Sequence, residues 1–529
     1  MKEVLKKNIE EAILKLQGEN DDWGVFDLKD VTIEVDYPKN ENFGDFSTNI
    51  AMVLASKLKK NPKEIAEKIA EILRVKDIEK SEVVVPGYIN FYLSKNYLQN
   101  LIEIVKKEKG DFGSSQINKE KKVNNEFISA NPTGPLHLGN GRGGFLGDVI
   151  GRVLRKTGAE VVNEYLINDG GEQILKLGHS VLKDSEAVYG GEYIEKLNKE
   201  IGSGDVKEVG IKAADKILEE YIKKTTKEKM GINFDSWISE RKDVIEKGKV
   251  DEALKILEEK KLTFEKDGAL WLKTTDFGDD KDRVLVRANG EKTYIASDCG
   301  YILGKIERGF TDIIEIWGAD HHGYITRFEA AARALGFEGE LKFIIVQLVR
   351  LTKDGKEVRM SKRAGNVVCI DDLIEEVGVD VTRFFFLMYS ADSHMDFDLG
   401  LAKERSNKNP VFYVQYAHAR ISSILKKSEI GSGVLDLSLL INEKELNLLR
   451  EIDRFPELIQ DISENHAVQR LPQYAIRLAD KFHSFYNECK VIDDENIELS
   501  VARLELVKAT KIVLKNTLEL IGVSVPEKM

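Results

Sequence analysis

The sequence predicts an α/β protein: a doubly wound, Rossmann-type parallel sheet at the centre, a smaller α/β module before it, and an all-α bundle after it. Three observations lead there. A short apolar strand at residues 126–129 breaks at 131–135, where two prolines and Gly134 forbid a continuing ladder or helix. Apolar residues then recur at Phe145, Leu146, Val149, Ile150, Val153 and Leu154, which is one face of a helix. Strand, polar turn and helix follow one another again at 160–173, the grammar of a sheet whose ligands lie at strand carboxyl ends, and a buried strand at 313–323 ends in a polar motif. From about residue 396 the pattern becomes long and amphipathic.

Length and composition bound the rest. A chain of 529 residues is too long for one core, so about two to four domains are expected. Hydrophobic content of 42% and charged content of 32% describe a soluble globular protein, and no apolar run approaches a membrane span. The first residues form an ordinary charged helix start without a secretory apolar core. The three cysteines, Cys299, Cys369 and Cys489, stand far apart without metal-ligand spacing. They fit the reducing cytoplasm and argue against disulfides or a structural zinc. A net charge of -12 does not advertise nucleic-acid binding, though a local patch would suffice for it.

Residues 1–115 read as the small α/β module. Val31-Thr-Ile-Glu-Val-Asp-Tyr37 alternates like a strand, and a helix is expected over 48–60. Pro62, at a first helical position behind Asn61, opens another. The run 83–93 reads as strands broken at Pro86-Gly87, and the polar stretch 113–122 as a linker.

The central domain, 116–395, carries the chemistry. Gly139, Gly141 and Gly144 sit where a helix begins, so unpaired N–H groups and the helix dipole suit a phosphate. They also spell a dinucleotide fingerprint, with Glu160 about twenty residues on. Against that stands the Pro-rich loop bearing His137, where a dinucleotide site wants a tight turn. Asn168, Asp169 and Gln173 head the next helix; an ordinary helix cap explains them equally well. Residues 181–283 are charged and largely helical and read as an insertion, after which the sheet resumes at 283–287 and 292–298.

Tyr294 and Asp298 offer an aromatic face and a carboxylate, the two things a guanidinium binds. Taken alone they read rather as a strand-end tyrosine and a helix-capping aspartate. The strand at 313–318 ends in Asp320, His321 and His322. Adjacent histidines point apart and lack a carboxylate or cysteine at ligand spacing, so no metal site is expected. A hairpin turn is expected at 353–356, followed by the basic run Arg359-Met360-Ser361-Lys362-Arg363, and 392–398 reads as an acidic turn. In the helical part, 396–529, Tyr413, Gln415, Tyr416, His418 and Arg420 are either core or the groups that stack on and hydrogen-bond splayed RNA bases.

These stretches together resemble the arginyl-tRNA synthetases, a class I family, over the whole chain and least in the insertion. His137-Leu-Gly139-Asn140 resembles the His-x-Gly-x motif of the class, and Arg359-Met-Ser-Lys362 its Lys-Met-Ser-Lys motif. The pair, in this order, leaves the dinucleotide reading little room. Departures are Asn140, where the class has a second histidine, and Arg359 for lysine. In residues 1–115, Gly44-Asp-Phe46 and Pro86-Gly-Tyr-Ile-Asn-Phe91 are similar to the family's tRNA-binding N-terminal domain. Residues 409–420, 482–489 and 526–529 are similar to its anticodon-binding domain.

The resemblance implies a ligase that activates L-arginine with Mg2+-bound ATP and transfers it to tRNA(Arg), working as a cytoplasmic monomer without a structural metal. It implies that Pro132, Thr133, Gly134, His137, Gly139 and Asn140 cradle ATP, with Asp320 and His321 beside the adenosine. Met360, Ser361 and Lys362, with Arg359 and Arg363, would draw off pyrophosphate. Ser129, Asn131, Asn168 and Gln173 would hold the backbone end of arginine, and Tyr294 and Asp298 its guanidinium. A tRNA-binding paralogue without catalysis and a sister class I enzyme for another amino acid are the alternatives. A measured ATP turnover excludes the first, and a carboxylate left unpaired by an apolar substrate argues against the second.

Overall fold

The computed structural model describes residues 1–19, 23, 26–353, 355–358, 368–428 and 434–529. Packing divides them into two units. One comprises residues 1–112, 421–454 and 480–513; the other 113–420, 455–479 and 514–529.

In the first unit, a three-stranded antiparallel sheet runs in the order Phe46–Thr48, Tyr88–Leu93, Ile78–Val84. The helix Pro62–Ile72 starts as the sequence predicts, with Pro62 at its first turn and the Asn61 side chain accepting the Lys63 N–H at 2.9 Å. The expected strand at 31–37 is a single bridge from Asp36 to Ser47, and the expected helix at 48–60 is shorter, Ile50–Leu58. A later helix of the chain closes the unit through polar contacts: Tyr97 donates to Asp453 at 2.7 Å, and Arg450 pairs with Asp45 at 2.8 Å.

The second unit holds a five-stranded sheet in the order Glu340–Val346, Asp312–Gly318, Lys122–Glu126, Glu160–Ile167, Ser236–Ser239. Every neighbouring pair is parallel. Four sequence expectations change here. The opening strand is Lys122–Glu126, ending where it was expected to begin. Its Asn124, Asn125 and Glu126 are buried, so a central strand hides behind a polar pattern; Asn125 donates to Gly147 O and Asn163 Oδ1, both at 2.9 Å. The stretch read as an insertion supplies the fifth strand, Ser236–Ser239, paired with 164–167. Its Trp237 and neighbouring Phe234 pack with Tyr165. The sheet does not resume at 283: Arg283–Val286 joins Thr263–Lys266 and Ala269–Leu272 in a separate antiparallel sheet. The expected hairpin forms between Val349–Lys353 and Lys356–Glu357, whereas part of the expected acidic turn is a strand, Met395–Asp398, parallel to Val349–Lys353.

The helix Leu138–Lys156 lies hard against this sheet, and its glycines explain how. A Cβ on Gly147 would stand 2.3 Å from the Phe127 ring, and one on Gly144 2.8 Å from the Ile128 side chain. One on Gly141 would meet Ile370 at 2.4 Å. These glycines therefore serve close packing rather than approach to a ligand. Gly147→Ala is expected to cost about 1–3 kcal/mol by overpacking. Thermal unfolding reads this as a lower midpoint; an unchanged midpoint would contradict the packing. Among the described residues no helix is long and apolar enough to cross a membrane.

Candidate active site

Numbered along the chain, the parallel strands are ordered fifth, fourth, first, second, third. The connections thus leave Lys122–Glu126 and Asp312–Gly318 in opposite directions, and the carboxyl ends of these two strands flank the crevice where such sheets bind ligands.

From the first strand the chain enters a strained turn. Ile128 and Ser129 both have left-handed backbones, with φ of 68° and 38°. This is uncommon for any residue but glycine and more so for a β-branched one. The turn is held from two sides. The Tyr165 hydroxyl accepts from Ala130 N–H and donates to Ala130 O, both at 3.0 Å. The Ser129 hydroxyl donates to Glu126 Oε1 at 2.9 Å and accepts the Leu166 N–H at 3.0 Å. Asn168 reaches the same turn, donating to Ser129 O at 3.3 Å. Ser129, Asn131 and Asn168, expected to hold the backbone end of a substrate, thus belong to one neighbourhood. Gln173 accepts from Tyr189 at 2.5 Å.

Beyond Pro132, Thr133 and Gly134, with Thr133 O accepting the Tyr193 hydroxyl at 3.1 Å, comes the helix mouth. His137 is its N-cap: Nδ1 accepts from Gly139 N–H at 3.1 Å and Asn140 N–H at 3.3 Å. The Asn140 side chain accepts the His137 N–H at 3.1 Å in return, a reciprocal capping box. Nδ1 can accept only in the neutral ring, so the ring proton lies on Nε2, which points a donor away from the cap. Surrounding protein lowers the imidazole pKa below its ordinary value, against an opposing pull from Asp320. Asp320 and His321 follow the fourth strand, exposed, with His321 Nε2 3.4 Å from Asp320 Oδ2.

Arg359, Met360, Ser361, Lys362 and Arg363 lie outside the described residues. Their flanks are described. Val358 N–H donates to Leu351 O at 2.9 Å, and Ile370 N–H donates to Leu136 O at 2.9 Å, beside a bridge between Cys369 and His137. The described chain thus leaves the hairpin at Val358 and stands against the histidine loop at Cys369.

Tyr294 and Asp298 begin a helix, Tyr294–Glu307, rather than ending a strand. Four residues apart, they share a face, and Tyr294 is 68% exposed. The Asp298 carboxyl accepts from the Tyr324 hydroxyl. Burial, with Glu240 and Glu126 nearby, pushes it up to about 7 against Tyr324 and Arg327. Glu240 is also raised, by burial and then by Asp169. Asp169 is held by the Ser239 hydroxyl at 2.7 Å and the Arg241 N–H at 3.0 Å. Asp298, Glu240 and Asp169 thus share one neighbourhood, with the Arg241 guanidinium 3.6 Å from Asp169 Oδ2. The sequence reading missed Glu240 and Glu126. Glu126 hides in a polar strand; Glu240 follows a strand within a stretch that reads as insertion.

The helix Pro410–Lys427 separates its five candidates. Phe412 and Tyr416 stack with centroids 6.2 Å apart, and the Arg420 guanidinium lies 5.1 Å over the Tyr416 ring. Tyr413 is half-buried. Gln415 and His418 are buried and committed elsewhere: Gln415 donates to Asp380 at 2.9 Å and Ser524 O at 3.1 Å, and the His418 ring meets Pro526 O at 2.8 Å. These two side chains fasten the chain's last residues, because a helix face four residues wide cannot turn every side chain to solvent. Among the described residues no group of three His, Cys, Asp or Glu could hold a metal ion.

Residues 3–93 match the family "Arginyl tRNA synthetase N terminal domain", 184–383 "tRNA synthetases class I (R), catalytic domain", and 414–529 "DALR anticodon binding domain". Arginine–tRNA ligase of Bacillus subtilis is 46% identical over 560 residues, covering 100% of this chain and 99% of its own. The Bacillus licheniformis enzyme is 44% identical with the same coverage, 100% and 99%. The fold is that of Thermus thermophilus arginyl-tRNA synthetase, at a TM-score of 0.80 and 22% identity, covering 100% of both chains.

Proposed function

Because the chain belongs to the arginyl-tRNA synthetases, we propose that its switch-point crevice carries out both steps of arginylation. The protein charges tRNA(Arg) with arginine. In the first step the arginine carboxylate attacks the α-phosphorus of Mg2+-bound ATP in line, and pyrophosphate leaves. In the second, the terminal ribose hydroxyl of the tRNA takes the arginyl group and AMP leaves. No covalent enzyme intermediate is needed, so catalysis is positioning and charge stabilisation.

His137, through its Nε2–H, and the N–H groups of the helix mouth hold the ATP phosphates, with Pro132, Thr133, Gly134, Gly139 and Asn140 forming the cradle and Asp320 and His321 the adenosine side. Lys362, with Arg359 and Arg363, meets the charge that builds on departing pyrophosphate. Asn131, Asn168 and the Ser129 turn orient the α-amino and carboxylate groups. Asp298 binds the guanidinium with Tyr294 stacked on it, and Glu240 shares that task. Residues 1–115 touch the tRNA, 116–395 catalyse, and 396–529 read the anticodon through Tyr413, Tyr416 and Arg420. The protein works as a monomer in the cytoplasm.

The observation that carries the reading is a group of three carboxyls: Asp169 and Glu240, which follow the carboxyl ends of two paired parallel strands, and Asp298 on the helix Tyr294–Glu307. ATP–pyrophosphate exchange tests it, run with arginine, with lysine and without amino acid, each with and without tRNA(Arg). Exchange with arginine alone among these is expected. Exchange with lysine, or none with arginine, would overturn the assignment of the pocket.

A further inference from the structure

Three glutamates stand side by side across the middle of the parallel sheet: Glu315 pairs in register with Glu126, and Glu126 with Glu164. Paired residues share a face, so all three point the same way. All are buried, and the helix Tyr294–Glu307 covers them with Tyr301 and a fully buried Lys305. Lys305 Nζ lies 2.6 Å from Glu126 Oε2 and 2.5 Å from Glu315 Oε1. The Tyr301 hydroxyl is 2.6 Å from Glu126 Oε2 and 2.7 Å from Glu164 Oε1; its one proton serves one of them. Arg308 pairs with Glu164, and Trp317 Nε1 donates to Glu315 Oε2 at 3.3 Å.

Three carboxyls face two cations, and the ladder divides the difference unequally. Glu164 is held near 2 by Arg308 and Lys305 against burial, whereas burial and Glu126 push Glu315 to about 8.

Its middle member reaches the site. Glu126 Oε1 takes the Ser129 hydroxyl, and that hydroxyl takes the Leu166 N–H, so Glu126 pins the left-handed turn on which Asn168 also rests. Glu126 also weighs on Asp298 electrostatically. Tyr294, Asp298, Tyr301 and Lys305 recur at steps of four, three and four, one face of a single helix. The face that offers Tyr294 and Asp298 at its start is docked on the ladder farther along.

We propose that Lys305 is a positioning residue for the arginine subsite: it holds Glu126, and through Glu126 the Ser129–Asn168 turn, while neutralising charge that would otherwise fall on Asp298. This rests on the assignment of the arginine pocket above. The experiment is ATP–pyrophosphate exchange by the full chain, with KM for arginine and for ATP measured from pH 6 to 9. Lys305→Met is expected to raise the arginine KM roughly tenfold while the ATP KM stays within about twofold. It should also move the acidic limb of kcat/KM for arginine to higher pH, because Asp298 then faces more uncompensated negative charge. Ser129→Ala, at the open end of the same relay, should raise the arginine KM without moving that limb, and it decides the question if Lys305→Met does not fold. Equal changes in both KM values, or an unmoved limb in Lys305→Met, would make Lys305 merely structural. A normal arginine KM in Ser129→Ala would also overturn the relay. Wild-type protein that exchanges with no arginine would overturn the pocket assignment instead, which separates the two failures.

Discussion

Asp298→Asn is expected to raise the KM for arginine by about 10- to 100-fold and to leave the KM for ATP nearly unchanged. The range follows from losing a hydrogen bond to a charged partner, about 1.5–3 kcal/mol. Asparagine keeps the shape and its contact with Tyr324 but cannot carry the charge that faces a guanidinium. Steady-state pyrophosphate exchange at varied arginine and ATP checks it; equal changes in both constants would remove Asp298 from the pocket. The same carboxyl predicts a pH dependence. Its ordinary value is 3.8 and its folded value about 7, so between these the free fold holds a proton that the unfolded chain has lost. Stability of the unliganded protein therefore falls as pH rises through that window. Arginine requires the ionised form, so its binding releases the proton and its apparent affinity weakens as pH falls below about 7. The amide of the substituted side chain does not titrate, so the variant should be the more stable protein above pH 7, the difference closing toward pH 4. Lower stability of the variant at pH 8 would contradict burial as the cause of the raised value. A site that strains its own fold for function commonly shows this trade.

His137 separates two roles that one substitution would confuse. His137→Ala removes the helix cap, costing about 0.5–2 kcal/mol, and also removes the Nε2 donor. His137→Asn can restore the cap through its side-chain oxygen but cannot extend a donor as far. Both variants are expected to lose about 100-fold or more in kcat for exchange, as when one donor to a developing negative charge is lost. Only the alanine variant should also show a lowered thermal midpoint. If asparagine restored kcat along with stability, His137 would be a cap and nothing more.

How much of this was legible beforehand depends on the range of the forces involved. Local rules worked locally. Pro62 behind Asn61 starts a helix, the Lys353–Lys356 turn joins two short strands, and His137 stands at a helix mouth, because caps and turns involve neighbours in the chain. Tyr294 and Asp298 were found as a pair, but as a strand end, since a guanidinium site reads the same on either backbone. Where burial opposes local pattern, the reading failed. The reading begins its strand at Glu126, yet the strand ends there and Asn125 and Glu126 lie in the centre of the sheet, where Gly147 O, Asn163, Tyr301 and Lys305 meet their side chains from distant positions. Gln415 and His418 look like an RNA-reading face and instead fasten residues about a hundred positions away.

The sequence by itself determined the family and the order of its parts, because those depend on motifs whose spacing is short. Only the tertiary structure decided that Glu126, Glu164 and Glu315 form a ladder under Lys305, that Glu240 joins Asp298, and that glycines of the helix Leu138–Lys156 serve close packing. Strand register and helix docking bring residues together across more than a hundred positions, and the low-dielectric interior then sets their charges. Neither the register nor the interior exists until the chain has folded.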